Sequence, residues 1–134
     1  MNTKSLLQAA VAIGALVPII AGVAGVLSAK GAFGSASTEP VFMDSHYRYL
    51  SGLLLGIGLC FWTMIPRIER KASQFQLLAA IVFIGGLSRL YGLIVMGGAD
   101  KAVLFSLVME LAVTPALALW QRAVAHDYQS RLSL

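Results

Sequence analysis

Four apolar runs dominate the chain, divided by short polar breaks, and inside each run the apolar residues are nearly continuous rather than alternating or confined to one helical face. A helix that is apolar all round is either buried in a large core or spans a membrane, and about 20 such residues cross the roughly 30 Å of bilayer hydrocarbon. The runs at 6–27, 49–65, 75–96 and 102–120 come close to that length. The predicted class is therefore all-α, an integral membrane four-helix bundle forming one domain over residues 1–134. The first run follows Lys4 and ends near small residues in "LSAKGA", as a signal peptide would. Its roughly 22 apolar residues exceed the 7 to 15 of such a segment, so it is read as a span.

The polar breaks set a direction. Lys4, the Arg67, Arg70 and Lys71 of "PRIERKAS", and Arg122 and Arg131 fall on one side, against Lys30 and Lys101, with Arg48 at a span end, on the other. Because Lys and Arg accumulate on the cytoplasmic side, both termini and the middle loop are expected in the cytoplasm. The loops around 30–44 and 97–101 then face outward. The second of these is about five residues long, which makes the third and fourth spans antiparallel neighbours. The first, "AKGAFGSASTEPVFMDSH", is long enough to fold over the outer mouth, and its Gly, Ser and Pro argue against a helix through its middle.

Composition supports the membrane reading. At 58% hydrophobic and 12% charged, the chain carries about half the charge of a soluble domain. A net charge of +4 raises nucleic acid as a partner, but the basic residues flank spans and form no stripe with interleaved aromatics, so that partner is excluded. The single cysteine, Cys60, allows no intrachain disulfide, and His46 and His126 are expected on opposite sides of the membrane, so no metal site is assigned. No cofactor motif is present: "GGLSRLYG" follows no strand and lacks the dinucleotide pattern. "DSH" at 44–46 has the residue types of a hydrolytic triad, but neighbouring residues cannot adopt its geometry.

Membrane helices associate through small residues and polar contacts. Ala10, Gly14, Pro18 and Gly22 on the first span and Gly52, Gly56 and Cys60 on the second repeat every four residues, and these ridges are expected to face other helices, within the chain or in a homo-oligomer. Pro18 and Pro115 are each expected to kink or loosen their helix.

The charges inside the runs are the candidate chemistry. Arg89 lies seven residues before Met96 and Glu110 eight residues after Ala102, which puts them about 10 and 12 Å below the same surface. They are predicted to face each other as an ion pair in the outer half of the bundle, because either charge alone in low dielectric is costly. Arg48 stands at the outer end of the second span, one turn after Asp44 and one before Gly52, with His46, Tyr47 and Tyr49 forming a polar aromatic rim and Glu39 in the loop nearby. Three readings of this cluster stay open. Arg89 and Glu110 form a structural staple while Arg48 reaches to water. Or Arg48, Arg89, Glu110, His46 and Tyr49 bind an anionic headgroup or amphiphile from the outer leaflet. Or Glu110, the one residue with a catalytic role if the protein is an enzyme, is an acid or base acting on an amphiphile.

The segments "YRYLSGLLLGIGL", "IVFIGGLSRLYGLIVMGG" and "VMELAVTPALALW" resemble the three later spans of the small bacterial four-span membrane proteins of the DUF4345 family. The matching positions are Arg48, Tyr49 and Gly52, then Gly86 and Arg89, then Glu110 and Leu111, and the likeness covers most of the chain after residue 45. It implies a multi-pass protein of the bacterial inner (plasma) membrane and supplies no reaction. The residues favour a non-enzymatic membrane accessory or binding protein over an enzyme, with membrane lipids, a larger membrane complex or a second copy as its partners.

Overall fold

The computed structural model describes residues 3–32, 41–98 and 100–133. They form α1 (Thr3–Ala32), α2 (Val41–Met64), a 3-10 turn at Ile65–Arg67, α3 (Ala72–Met96), α4 (Lys101–Val108), a π turn at Met109–Val113 and α5 (Thr114–Leu132). No strand occurs among the described residues, and the fold is all-α. The stretches Thr3–Leu27, Phe42–Arg67, Ala72–Met96 and Lys101–Leu132 are each long and apolar enough to cross a membrane, the make-up of a multi-pass membrane protein.

The helices outrun the apolar runs. Helix α2 begins at Val41 instead of near residue 49, and the last helical stretch continues from the π turn to Leu132 instead of ending near 120. The end of an apolar run marks where lipid stops, whereas hydrogen bonding carries a helix onward into water wherever its residues permit. The start of α2 is supported by the Asp44–Arg48 pair one turn apart. Helix α1 passes through Pro18 without interruption. Of the loop expected at 30–44 to cover the outer mouth, residues 30–32 and 41–44 belong instead to α1 and α2, and 33–40, with Glu39, lie outside the described residues.

The chain divides into two compact units, one of Ala12–Thr63 and one of the segment ending at Val11 together with everything from Met64 onward. In the first, α1 and α2 run antiparallel. The Trp62 indole N–H donates to Ala12 O at 3.2 Å near one end, and Arg48 Nη1 donates to Val26 O at 2.6 Å near the other. Between them the backbones close up: a Cβ on Gly22 would stand 2.6 Å from Leu55 N, and one on Gly58 would stand 2.7 Å from Ile19 Cγ1.

The seam with α1 uses a different stripe of α2 from the expected ridge. A Cβ on Gly52 or Gly56 would meet nothing within 4 Å, while Ser51, Leu55 and Gly58 lie against α1. The preference has a physical cause. Residues 48, 51, 55, 58 and 62 form one helical stripe, and turning that stripe inward brings Arg48 and Trp62 to α1 carbonyls, which the Gly52/Gly56 stripe would not do.

In the second unit α3 runs antiparallel to α4, the π turn and α5. The connection turns at Gly97 and Gly98, whose φ of 69° and 82° side chains rarely tolerate. Its tightest packing is at the opposite end, where Leu7, Ile68 and Gln121 are 0% exposed and Phe75 1%. Pro66 stops α2 there, and the turn that follows would leave carbonyls without donors. Glutamines supply them: Gln8 Nε2 donates to Ile65 O at 2.7 Å and Gln121 Nε2 to Ile68 O at 2.8 Å, while Gln76 Nε2 donates to Ala118 O and to Gln121 Oε1 at 2.8 and 3.2 Å.

Candidate functional site

Arg89 projects from α3 and Glu110 from the π turn. Arg89 Nε donates to Glu110 Oε2 at 3.0 Å and Nη2 donates to Oε1 at 3.1 Å, a two-pronged pairing of guanidinium and carboxylate. Arg89 is 40% exposed and Glu110 17%. The carboxylate is thus the inner member of the pair and the guanidinium the outer one.

Two local features set this geometry. A Cβ on Gly86 would lie 2.8 Å from both Glu110 Cβ and Leu111 Cδ2, so glycine at that position allows α3 to approach the backbone that carries the glutamate. The three conspicuous positions Gly86, Arg89 and Glu110 therefore serve one contact. The π turn has its own cause in Pro115, which lacks an N–H and whose ring would strike the Leu111 carbonyl in a regular α-helix. Widening the helix by one residue makes room, and Met109 O accepts from both the N–H and, at 2.8 Å, the Oγ1 of Thr114. The loosening expected at Pro115 takes this form, and it falls on the segment that carries Glu110.

The other candidate residues belong to the α1–α2 unit. Arg48 Nε donates to Asp44 Oδ2 at 2.8 Å and Nη2 to Oδ1 at 3.3 Å, and the Nη1 contact to Val26 O occupies a third position on its guanidinium. His46 stacks on Phe42 with ring centroids 5.8 Å apart, and Tyr49 is exposed on the same helix. The structure thus joins Arg89 to Glu110, and Arg48 to Asp44 and α1. No group of three or more His, Cys, Asp or Glu side chains suited to a metal occurs among the described residues.

A second polar centre, absent from the sequence-based candidates, surrounds the turn between α2 and α3. Lys4 Nζ stands 3.0 Å from Glu69 Oε2 in a salt bridge, and Arg70 donates to the Tyr128 hydroxyl from Nε at 3.0 Å and Nη2 at 2.6 Å. With Gln8, Gln76 and Gln121, these residues tie α1, α3 and α5 to one turn. The available signal was three glutamines near one end of otherwise apolar runs, where an amide needs an acceptor or donor close by.

A family model described as Domain of unknown function (DUF4345) matches residues 6–121. No curated protein and no solved structure matches the chain.

Proposed function

The chain belongs to the DUF4345 family, and from that premise we propose that it is a non-enzymatic membrane binding or accessory protein in which Arg89 receives an anionic group from within the membrane. One observation carries this reading. The guanidinium has five N–H donors, of which the pair with Glu110 uses two, and among the described residues no other acceptor meets it although the side chain is 40% exposed. In hydrocarbon a donor without an acceptor costs several kcal/mol, so a phosphate or carboxylate oxygen of an amphiphile, or a polar group of a partner helix, is stabilised there. Glu110 orients the arginine and offsets its charge. Both oxygens of Glu110 are held by the guanidinium, which favours this role over proton transfer to a substrate. By the positive-inside rule the end bearing Arg67, Arg70 and Lys71 faces the cytoplasm of a bacterial inner membrane, and the ion pair then lies in the outer half.

The test is native mass spectrometry of the full chain extracted with its own membrane lipids. One equivalent of an anionic amphiphile or partner chain is expected to accompany the wild type and Glu110→Gln, which keeps the guanidinium, and that one equivalent is expected to be lost from Arg89→Gln. Equal retention by Arg89→Gln, or no bound species on the wild type, overturns the reading.

A further inference from the structure

The run Pro66–Lys71 reads in sequence as three cations diluted by one acid. The fold removes the acid from the surface. Glu69 is 9% exposed and faces Lys4 Nζ at 3.0 Å. Burial pushes its carboxyl pKa up, but the Glu69 amide N–H, the Lys4 ammonium and the Arg70 charge outweigh burial and hold it below the usual carboxylate range. Its negative charge is therefore kept and is spent inward on Lys4.

The cations are left outside. Arg67 and Arg70 are exposed and Lys71 is half-buried. Arg70 donates to a neutral hydroxyl and lies 5.5 Å from the Tyr128 ring centroid, which fixes its position without cancelling its charge. The bond from Gln121 to Ile68 O sets α5 level with the turn, so the exposed Arg122, the next residue, stands at that height too. Among the described residues no carboxylate lies within salt-bridge distance of Arg67, Lys71 or Arg122. Height decides what these charges meet. The second membrane-capable stretch ends at Arg67 and the third begins at Ala72, which places the turn at the boundary between hydrocarbon and water, where phosphates lie.

We propose that Arg67, Arg70, Lys71 and Arg122 form a docking surface for anionic phospholipid headgroups, with the withdrawal of Glu69 onto Lys4 as the device that leaves the cations of this turn facing outward. The site is separate from Arg89 and does not depend on the role proposed for it.

The full chain would be reconstituted in vesicles of phosphatidylcholine with a minority of phosphatidylglycerol, extracted gently, and its retained lipids counted by native mass spectrometry. Phosphatidylglycerol is expected to be enriched over its share of the bilayer by about fivefold or more, the effect of a single cation at an anionic surface. The triple variant Arg67→Ala/Lys71→Ala/Arg122→Ala is expected to lose most of this enrichment. Arg67→Lys/Arg122→Lys, which keeps the charges, and Arg89→Gln, which leaves this end intact, are both expected to retain the enrichment. The proposal is overturned by a wild type without enrichment, by a folded triple variant that keeps it, or by its loss in Arg89→Gln. Displacement of the lipid by excess inorganic phosphate would assign the cations to a soluble anion instead, and co-extraction of an acidic protein in its place would assign them to a protein partner; either result also overturns it.

Discussion

Gly86→Ala tests whether close approach of α3 to the π turn is what holds the Arg89–Glu110 pair. The added methyl would sit 2.8 Å from Glu110 Cβ and Leu111 Cδ2 and 3.1 Å from Leu111 Cγ. Carbon atoms in contact rest about 3.5 to 4.0 Å apart, so the two backbones must part by about 0.7 to 1.2 Å. Overpacking of this kind costs about 1 to 3 kcal/mol. Stretching two charge-assisted hydrogen bonds from 3.0 and 3.1 Å toward the limit of hydrogen bonding adds about 1.5 kcal/mol, while replacing a mid-helix glycine returns about 1 kcal/mol. The expected net loss is about 1.5 to 3.5 kcal/mol, read as a lower midpoint in denaturant unfolding of the full chain in detergent, followed by circular dichroism. Gly85→Ala is the internal control, because a Cβ there meets nothing within 4 Å, and it is expected to leave the midpoint unchanged or raise it. A Gly86→Ala protein as stable as Gly85→Ala would refute the close-approach argument.

Two further outcomes follow from the charges. Arg89→Gln or Glu110→Gln alone leaves a charge without its partner in low dielectric, so each single variant is expected to be less stable than the double variant Arg89→Gln/Glu110→Gln, with a coupling of about 1 to 3 kcal/mol in a double-mutant cycle; additive losses would show the pair to be energetically irrelevant. Because the Glu69 carboxyl is held below its usual range in the fold, its stabilisation is complete above the unfolded value of about 4.3 and disappears as pH falls through the lowered folded value. Unfolding midpoints measured from neutral pH into acid should therefore drop more in the wild type than in Glu69→Gln, and parallel curves would contradict the Lys4–Glu69 assignment.

The chain's own order of residues determined the all-α class, the four membrane-capable helices and the common level of Arg89 and Glu110. These are properties of local polarity and counted distance: a continuous apolar run has one stable backbone in lipid, and a five-residue connection leaves little freedom in the register of the helices it joins. Other features depended on which helix faces met. Two small-residue stripes on α2 compete for α1, and only the three-dimensional fit, with Arg48 and Trp62 reaching α1 carbonyls, selects the one through Gly58 over that through Gly52 and Gly56. Pro115 announced a disturbance, yet that it takes the form of a π turn carrying Glu110 against Gly86 is decided only in the fold. The pairing of Lys4 with Glu69 joins residues 65 positions apart in the chain, and the bond from Gln121 to Ile68 spans 53. No local pattern encodes such contacts, because whether a polar side chain in an apolar run is buried and satisfied is decided by what the fold brings opposite it.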